Sequence, residues 1–151
     1  MNKKNENIEI VEVETSSKEI VDALQKLLPQ LSSNYKTFDY LDLEEIVRSD
    51  STRLFIALDS ASENQIIGTY TLVFFRTPLS KIIRIEDVIV DKNRRGQGIG
   101  KWMMNHAIAY AIKIGVSKIE LTSHPLRIEA NKLYQSLGFK KIDTNVYQYK
   151  S

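Results

Sequence analysis

Cysteine is absent from the 151 residues. That absence excludes disulfides, thiolate metal sites and any cysteinyl acyl-enzyme. No stretch approaches the roughly 18 consecutive apolar residues that cross a bilayer, and Met1 to Asn7 is polar where a secretion signal turns apolar. A cytoplasmic protein without a membrane partner is the expectation. Neither sign of charge dominates, because 21 Lys and Arg against 19 Asp and Glu leave a formal charge of +2, and the basic residues are scattered. Nucleic acid is therefore not an expected partner. The 2 histidines, His106 and His124, stand far apart with no acidic pair to complete a ligand set, so no metal is expected. Thr122 and Ser123 lack a Gly-x-Ser-x-Gly frame, which removes the usual hydroxyl nucleophile.

What the chain does have is 42% hydrophobic residues, enough to bury one core but in a chain too short for two ordinary domains. A single domain from residue 8 to residue 151 is expected, after a loose polar start at residues 1–7. Ile8, Ile10, Val11 and Val13 read as a first strand, and Ser16-Ser17-Lys18-Glu19 has the Ser-x-x-Glu spacing of a capping box. Ile20, Val21, Leu24, Leu27, Leu28 and Leu31 then fall on one face of a helix with a 3.6-residue period. A shorter helix is expected from Asp42, with Leu43, Ile46 and Val47 as its apolar face.

Three runs rich in β-branched and aromatic residues follow, at Arg53 to Leu58, Ile66 to Phe75 and Ile82 to Val90. The short linkers between them favour antiparallel neighbours. From Gly98 to Ile114 the apolar residues recur at helical spacing and Gly115 stops them. Ile119 and Leu121 mark another strand, and Ala130, Leu133, Tyr134 and Leu137 form a helical stripe that ends at Gly138. Phe139 to Ile142 and Val146 to Tyr149 read as a closing hairpin around Asp143-Thr144-Asn145.

The most informative segment joins the strand ending at Val90 to the helix after Gly98. Glycines at 96, 98 and 100 let the backbone take positive φ or approach a ligand, and the helix start aims N–H groups and a positive dipole end at the same place. Arg94 and Arg95 precede the glycines and Lys101 follows, a combination suited to a pyrophosphate. A dinucleotide turn needs Gly-x-Gly-x-x-Gly directly after the first strand, and a Walker loop needs Ser or Thr where Trp102 stands. Neither spacing is met.

Arg95-Gly96-Gln97-Gly98-Ile99-Gly100 resembles the cofactor loop of the GCN5-related N-acetyltransferases, Arg/Gln-x-x-Gly-x-Gly/Ala. Ala130, Leu133-Tyr134 and Leu137-Gly138-Phe139 match a second motif of that family, Ala-x-x-Leu-Tyr-x-x-Leu-Gly-Phe. The element order agrees as well, from Ile8 to Tyr149. The resemblance implies an α/β (α+β) single domain with a mixed central sheet of about six to seven strands flanked by four helices. It implies acetyl-CoA as co-substrate and an amine acceptor, in a family where homodimers are common. Pantetheine would bond to the backbone of Val88, Ile89 and Val90, and the pyrophosphate would lie on Arg95, Gly96, Gln97, Gly98, Ile99, Gly100 and Lys101. Arg127 stands where many relatives carry a cofactor-binding Asn.

The chemistry implied is direct transfer of acetyl to a primary amine in a ternary complex. An ammonium with a lysine-like pKa near 10.4 is neutral in only about one molecule in a few thousand at pH 7, so a proton must be removed. Glu86 occupies the position of the family's base, acting directly or through water, and strand alternation keeps Glu86 and Asp87 from lining one cleft together. The plainer alternative for this pair is a strand bulge, or an ion pair with Arg84. Tyr134 occupies the position of the general acid that protonates the departing thiolate. A regulatory module that binds acetyl-CoA without turnover is the competing reading. The aromatic residues Tyr35, Phe38, Tyr40, Tyr70, Phe74 and Phe75 serve equally well as core, so none is assigned to a substrate.

Overall fold

Apolar alternation along the middle of the chain folds into a sheet with one helical pair on each face. The structure, a computed structural model, describes residues 6–151. Its elements are β1 (Ile8–Glu12), α1 (Lys18–Leu27), α2 (Tyr40–Arg48), β2 (Thr52–Asp59), β3 (Gln65–Arg76), β4 (Lys81–Val90), α3 (Ile99–Lys113), β5 (Lys118–Leu121) and α4 (Ile128–Ser136). The sheet order is β1-β2-β3-β4-β5. The first three pairings are antiparallel and β4–β5 is parallel. A parallel pair needs a long crossover, and α3 provides it.

Side-chain alternation divides the core in two. On one face Phe55, Ile67, Tyr70, Leu72, Ile83 and Ile85 meet Ile99, Met103, Met104, Ala107 and Ala111 of α3. On the other, Leu54 and Ile56 meet Val21 and Leu24 of α1 and Leu43 of α2. Leu43 is the one fully buried residue of α2, and its burial contributes about 1.5–3 kcal/mol.

The helix starts differ in detail from the sequence expectation. α1 is capped by Ser17, whose hydroxyl accepts from Ile20 N (3.3 Å), rather than by a Ser16–Glu19 box. α2 begins at Tyr40, two residues earlier than the Asp42 start. Asp39 caps it, accepting from Leu41 N and Asp42 N, while Asp42 returns a carboxylate oxygen to Asp39 N (2.8 Å), so Asp42 closes the box from inside the helix.

Among the described residues the sheet has five strands, not six to seven. The expected C-terminal hairpin is absent: residues 139–151 form no strand. Ile142, Val146, Tyr147 and Tyr149 stand 64–93% exposed. A strand-forming composition needs a neighbour to complete its hydrogen bonds, and no described strand lies beside this segment. Of the expected loose start at residues 1–7, the first five lie outside the described residues. The Asn7 carbonyl is held by Ser60 N (2.9 Å) and Ser60 Oγ (3.2 Å).

Candidate active site

The site is organised by the end of β4. β4 and β5 pair only from Ile82↔Lys118 to Ile85↔Leu121, and β4 then continues to Val90 without β5. Along Glu86–Val90 the outer edge of β4 therefore has no strand beside it among the described residues, and of the backbone groups on that edge the Val90 carbonyl accepts from Arg95 Nε (3.1 Å).

A bulge falls at this divergence. Thr71 pairs with Glu86 and Thr69 with Ile89, so Tyr70 alone faces both Asp87 and Val88. Asp87 has φ 50°, an uncommon conformation for a non-glycine residue. The extra residue changes the parity of the strand: Val88 and Val90 join the α3 face with Ile83 and Ile85. Glu86 points the other way, in register with Thr71 and through it Leu54, on the α1/α2 face. Asp87 is exposed and Glu86 is half-buried. Glu86 Oε1 lies 3.0 Å from Arg84 Nε, and that N–H is not directed at it in a hydrogen bond. The bulge and the ion pair named as alternatives are both present.

The glycine turn leaves β4 through a short 3₁₀ turn, Lys92–Arg94, capped by Asp91. Gly96 (φ 74°) and Gly98 (φ 81°) both take the left-handed conformation that other residues avoid. A Cβ at Gly96 would meet no atom within 4 Å, so the space above the turn is open. Gly100 answers a different need: a Cβ there would stand 3.3 Å from Leu133 Cδ2, so its absence lets α4 pack close to the start of α3.

α1 and α2 start on side-chain caps, but α3 starts on Gly98 with none. Its first intrahelical bond is Trp102 N to Gly98 O (3.0 Å), which leaves the N–H groups of Ile99, Gly100 and Lys101 without intrahelical acceptors. Exposed Arg95 sits beside them, its Nε donating to Val90 O (3.1 Å). Uncapped N–H groups, a helix of 15 residues and an exposed guanidinium fit a pyrophosphate.

α4 carries Tyr134 against the α3 face of the sheet, 6% exposed. The helix ends in a Schellman motif, with Phe139 N bonded to Tyr134 O (3.1 Å) and Gly138 N to Gln135 O (3.1 Å). The Leu-Gly-Phe part of the second motif is thus a helix terminus. Burial pushes the Tyr134 phenol above its ordinary pKa, while the positive charge of Arg127 pulls it down. The phenol is a proton donor at neutral pH. Arg127 opens α4, and its carbonyl accepts from Asn131 N and Asn131 Nδ2. Asn131 Nδ2 also reaches His124 O (3.0 Å), so this asparagine ties the β5–α4 loop together. His124 Nδ1 accepts from Leu126 N (3.1 Å) in the same loop.

Glu86 and Tyr134 thus lie on opposite faces of the sheet. Two site-forming residues escaped sequence reading. Asp59 carries no motif of its own and Arg94 reads as one of a pair with Arg95, yet Arg94 Nη2 meets Asp59 Oδ2 at 2.7 Å. No local spacing signals this pair. No group of three His, Asp or Glu among the described residues is placed to hold a metal. No described helix is long and apolar enough to cross a membrane.

The sheet that diverges beside a glycine turn defines the class, and the comparisons name the family. The pattern of the Acetyltransferase (GNAT) family matches residues 19–139, and the chain belongs to that family. Human N-acetyltransferase 8B is 34% identical over 82 residues, covering 53% of this chain and 36% of the relative. N-acetylaspartate synthetase of Xenopus tropicalis is 36% identical over 61 residues, 40% of this chain and 22% of the relative. The chain therefore spans less than half the length of these curated relatives. Among solved structures, an aminoglycoside acetyltransferase from an uncultured soil metagenomic sample, in complex with sisomicin, superposes with a TM-score of 0.82 at 20% identity over 97% of each chain. The aminoglycoside N-acetyltransferase AAC(6')-Iy in complex with CoA gives 0.76 at 19% identity, over 95% of this chain and 94% of that one. These likenesses show a shared fold.

Proposed function

We propose that the protein transfers an acetyl group from acetyl-CoA directly to a primary amine of a small metabolite, peptide or protein, within a ternary complex. The observation that carries this reading is the uncapped start of α3 on left-handed Gly98, next to the open edge of β4. Arg95 and the N–H groups from Gly96 to Lys101 hold the pyrophosphate, with Gln97 in the same turn. Val88, Ile89 and Val90 offer backbone partners to pantetheine, and Arg127 takes the place of the family Asn. Acetyl-CoA supplies the acyl group as an activated thioester.

Glu86 accepts the proton of the incoming ammonium, directly or through water, and the freed nitrogen attacks the thioester carbonyl. The N–C bond forms and the C–S bond breaks. Tyr134 gives its proton to the departing sulfur, so that CoA leaves as the thiol, and the second proton, shed by the nitrogen as it becomes an amide, passes through solvent to restore the phenol. Placing base and acid on opposite faces suits a reaction in which the nucleophile arrives on one side of the thioester and the sulfur departs on the other.

The test is calorimetric titration with acetyl-CoA, followed by release of CoA thiol in the presence of candidate amines. Aspartate, an aminoglycoside and lysine peptides make a first panel, the first two suggested by the names of similar proteins. Absence of cofactor binding rejects the reading. Binding without turnover on any amine favours the competing one, an acetyl-CoA-binding regulatory module.

A further inference from the structure

We infer that Asp59 is a positioning residue for the pyrophosphate turn, acting through Arg94 across the width of a strand. Asp59 ends β2 and is 4% exposed, whereas Arg94 belongs to the turn after β4. β3 lies between those two strands, so the ion pair ties the turn to the sheet beyond its nearest neighbour.

The carboxylate is fully engaged. Oδ1 accepts from Ala61 N (3.0 Å), and Oδ2 accepts from Ser62 Oγ (3.1 Å) and faces Arg94 Nη2 (2.7 Å). Arg94 above all holds the Asp59 carboxyl below its ordinary pKa, against burial, with help from Ala61 and Ser62. On its other side, Arg94 Nε donates to Gln97 Oε1 (3.3 Å), inside the glycine turn. The chain Asp59–Arg94–Gln97 therefore runs from the buried end of β2 into the segment between the two left-handed glycines.

Two adjacent arginines receive opposite tasks from this arrangement. Arg94 is spent internally on Asp59, with a side chain 23% exposed, while Arg95 stays at the exposed rim. A buried charge attracts its partner strongly and tolerates little displacement, so Asp59 fixes where Arg94, Gln97 and the intervening amides sit. Anion recognition by backbone N–H groups depends on such placement, since a shift of a fraction of an ångström misaligns several donors together.

This inference rests on the acetyl-CoA reading, and its test keeps the two apart by using two acetyl donors. Acetyl-CoA carries the pyrophosphate, and S-acetylpantetheine does not. For Asp59→Asn, which keeps the shape and loses the charge, KM for acetyl-CoA is expected to rise about tenfold or more with kcat little changed. KM for S-acetylpantetheine is expected to stay at its wild-type value. Should that variant not fold, Arg94→Lys carries the test, because an ammonium can still face Asp59 while the Nε donor to Gln97 is lost. The same split between donors is expected, with a melting temperature near that of the wild type. Equal losses with both donors, or no loss with either, overturn the inference. A wild-type protein that binds neither donor instead rejects the cofactor reading beneath it.

Discussion

Tyr134 and Phe139 are the two ends of one helix terminus: the Phe139 N–H closes on the Tyr134 carbonyl at 3.1 Å, and their rings meet edge to face with centroids 6.2 Å apart. The residue proposed to protonate the leaving thiolate is therefore oriented by the residue that stops its own helix. Tyr134→Phe keeps the ring and its packing and removes only the hydroxyl. It is expected to lower kcat about 10²-fold or more, the usual size of a general-acid contribution, with the dissociation constant for acetyl-CoA and the melting temperature unchanged. A clear fall in melting temperature with normal turnover would assign Tyr134 to packing alone.

Glu86 faces Arg84 without an aligned hydrogen bond, which separates two roles for the carboxylate. Glu86→Gln is expected to reduce kcat/KM for the amine by about 10²-fold at neutral pH while acetyl-CoA binding is kept. Arg84→Gln, which removes the ion pair but keeps the carboxylate, is expected to retain most of the turnover. If both variants lose activity equally, the ion pair matters and the proton transfer does not reside at Glu86.

Gly98 starts α3 at φ 81°. Gly98→Ala forces a side chain into the left-handed region at a cost of about 1–2 kcal/mol and crowds the uncapped N–H groups. The expected result is a dissociation constant for CoA raised roughly tenfold, following 1.4 kcal/mol per decade. Calorimetry on a variant shown to be folded by circular dichroism checks this.

His106 Nδ1 and the Tyr70 hydroxyl are 2.6 Å apart beneath α3. Burial lowers the His106 pKa, so the folded protein binds fewer protons than the unfolded chain below the ordinary value of about 6.5. This contribution to stability is present above about 6.5 and is lost as pH falls through the lower folded value. Burial raises the Tyr70 pKa, so the phenol stays protonated throughout this range, and protonation of His106 puts an N–H on Nδ1 for which the phenol oxygen is the acceptor. The melting temperature is expected to fall between pH 7 and about pH 5, and His106→Gln is expected to flatten that slope. A wild-type profile that is level over this interval contradicts the assignment.

Much of the fold was legible because its signals are local. α3 shows a helical apolar period bounded by glycines, and the predicted Gly98 start and Gly115 stop agree with Ile99–Lys113 and its Schellman end. The three central strands likewise match their β-rich runs. The closing hairpin failed for the opposite reason: Val146, Tyr147 and Tyr149 have the composition of a strand, but pairing is settled by a neighbour, and none lies beside them. The Ser-x-x-Glu spacing pointed to Ser16, and the helix geometry chose Ser17.

The sequence by itself determined the family and the backbone form of the glycine turn, because positive φ, helix periodicity and the spacing of Arg95, Gly98, Gly100 and Tyr134 are properties of short segments. Tertiary structure alone decided the rest. It placed a bulge at Asp87 that sends Glu86 to one face and Val88 to the other, and it put Gly100 under Leu133. It also separated Arg94 from Arg95 by burying Asp59 within reach of the first. Each of these depends on atoms brought together by strands that are distant in the chain, where register and burial, and not spacing, decide which groups meet.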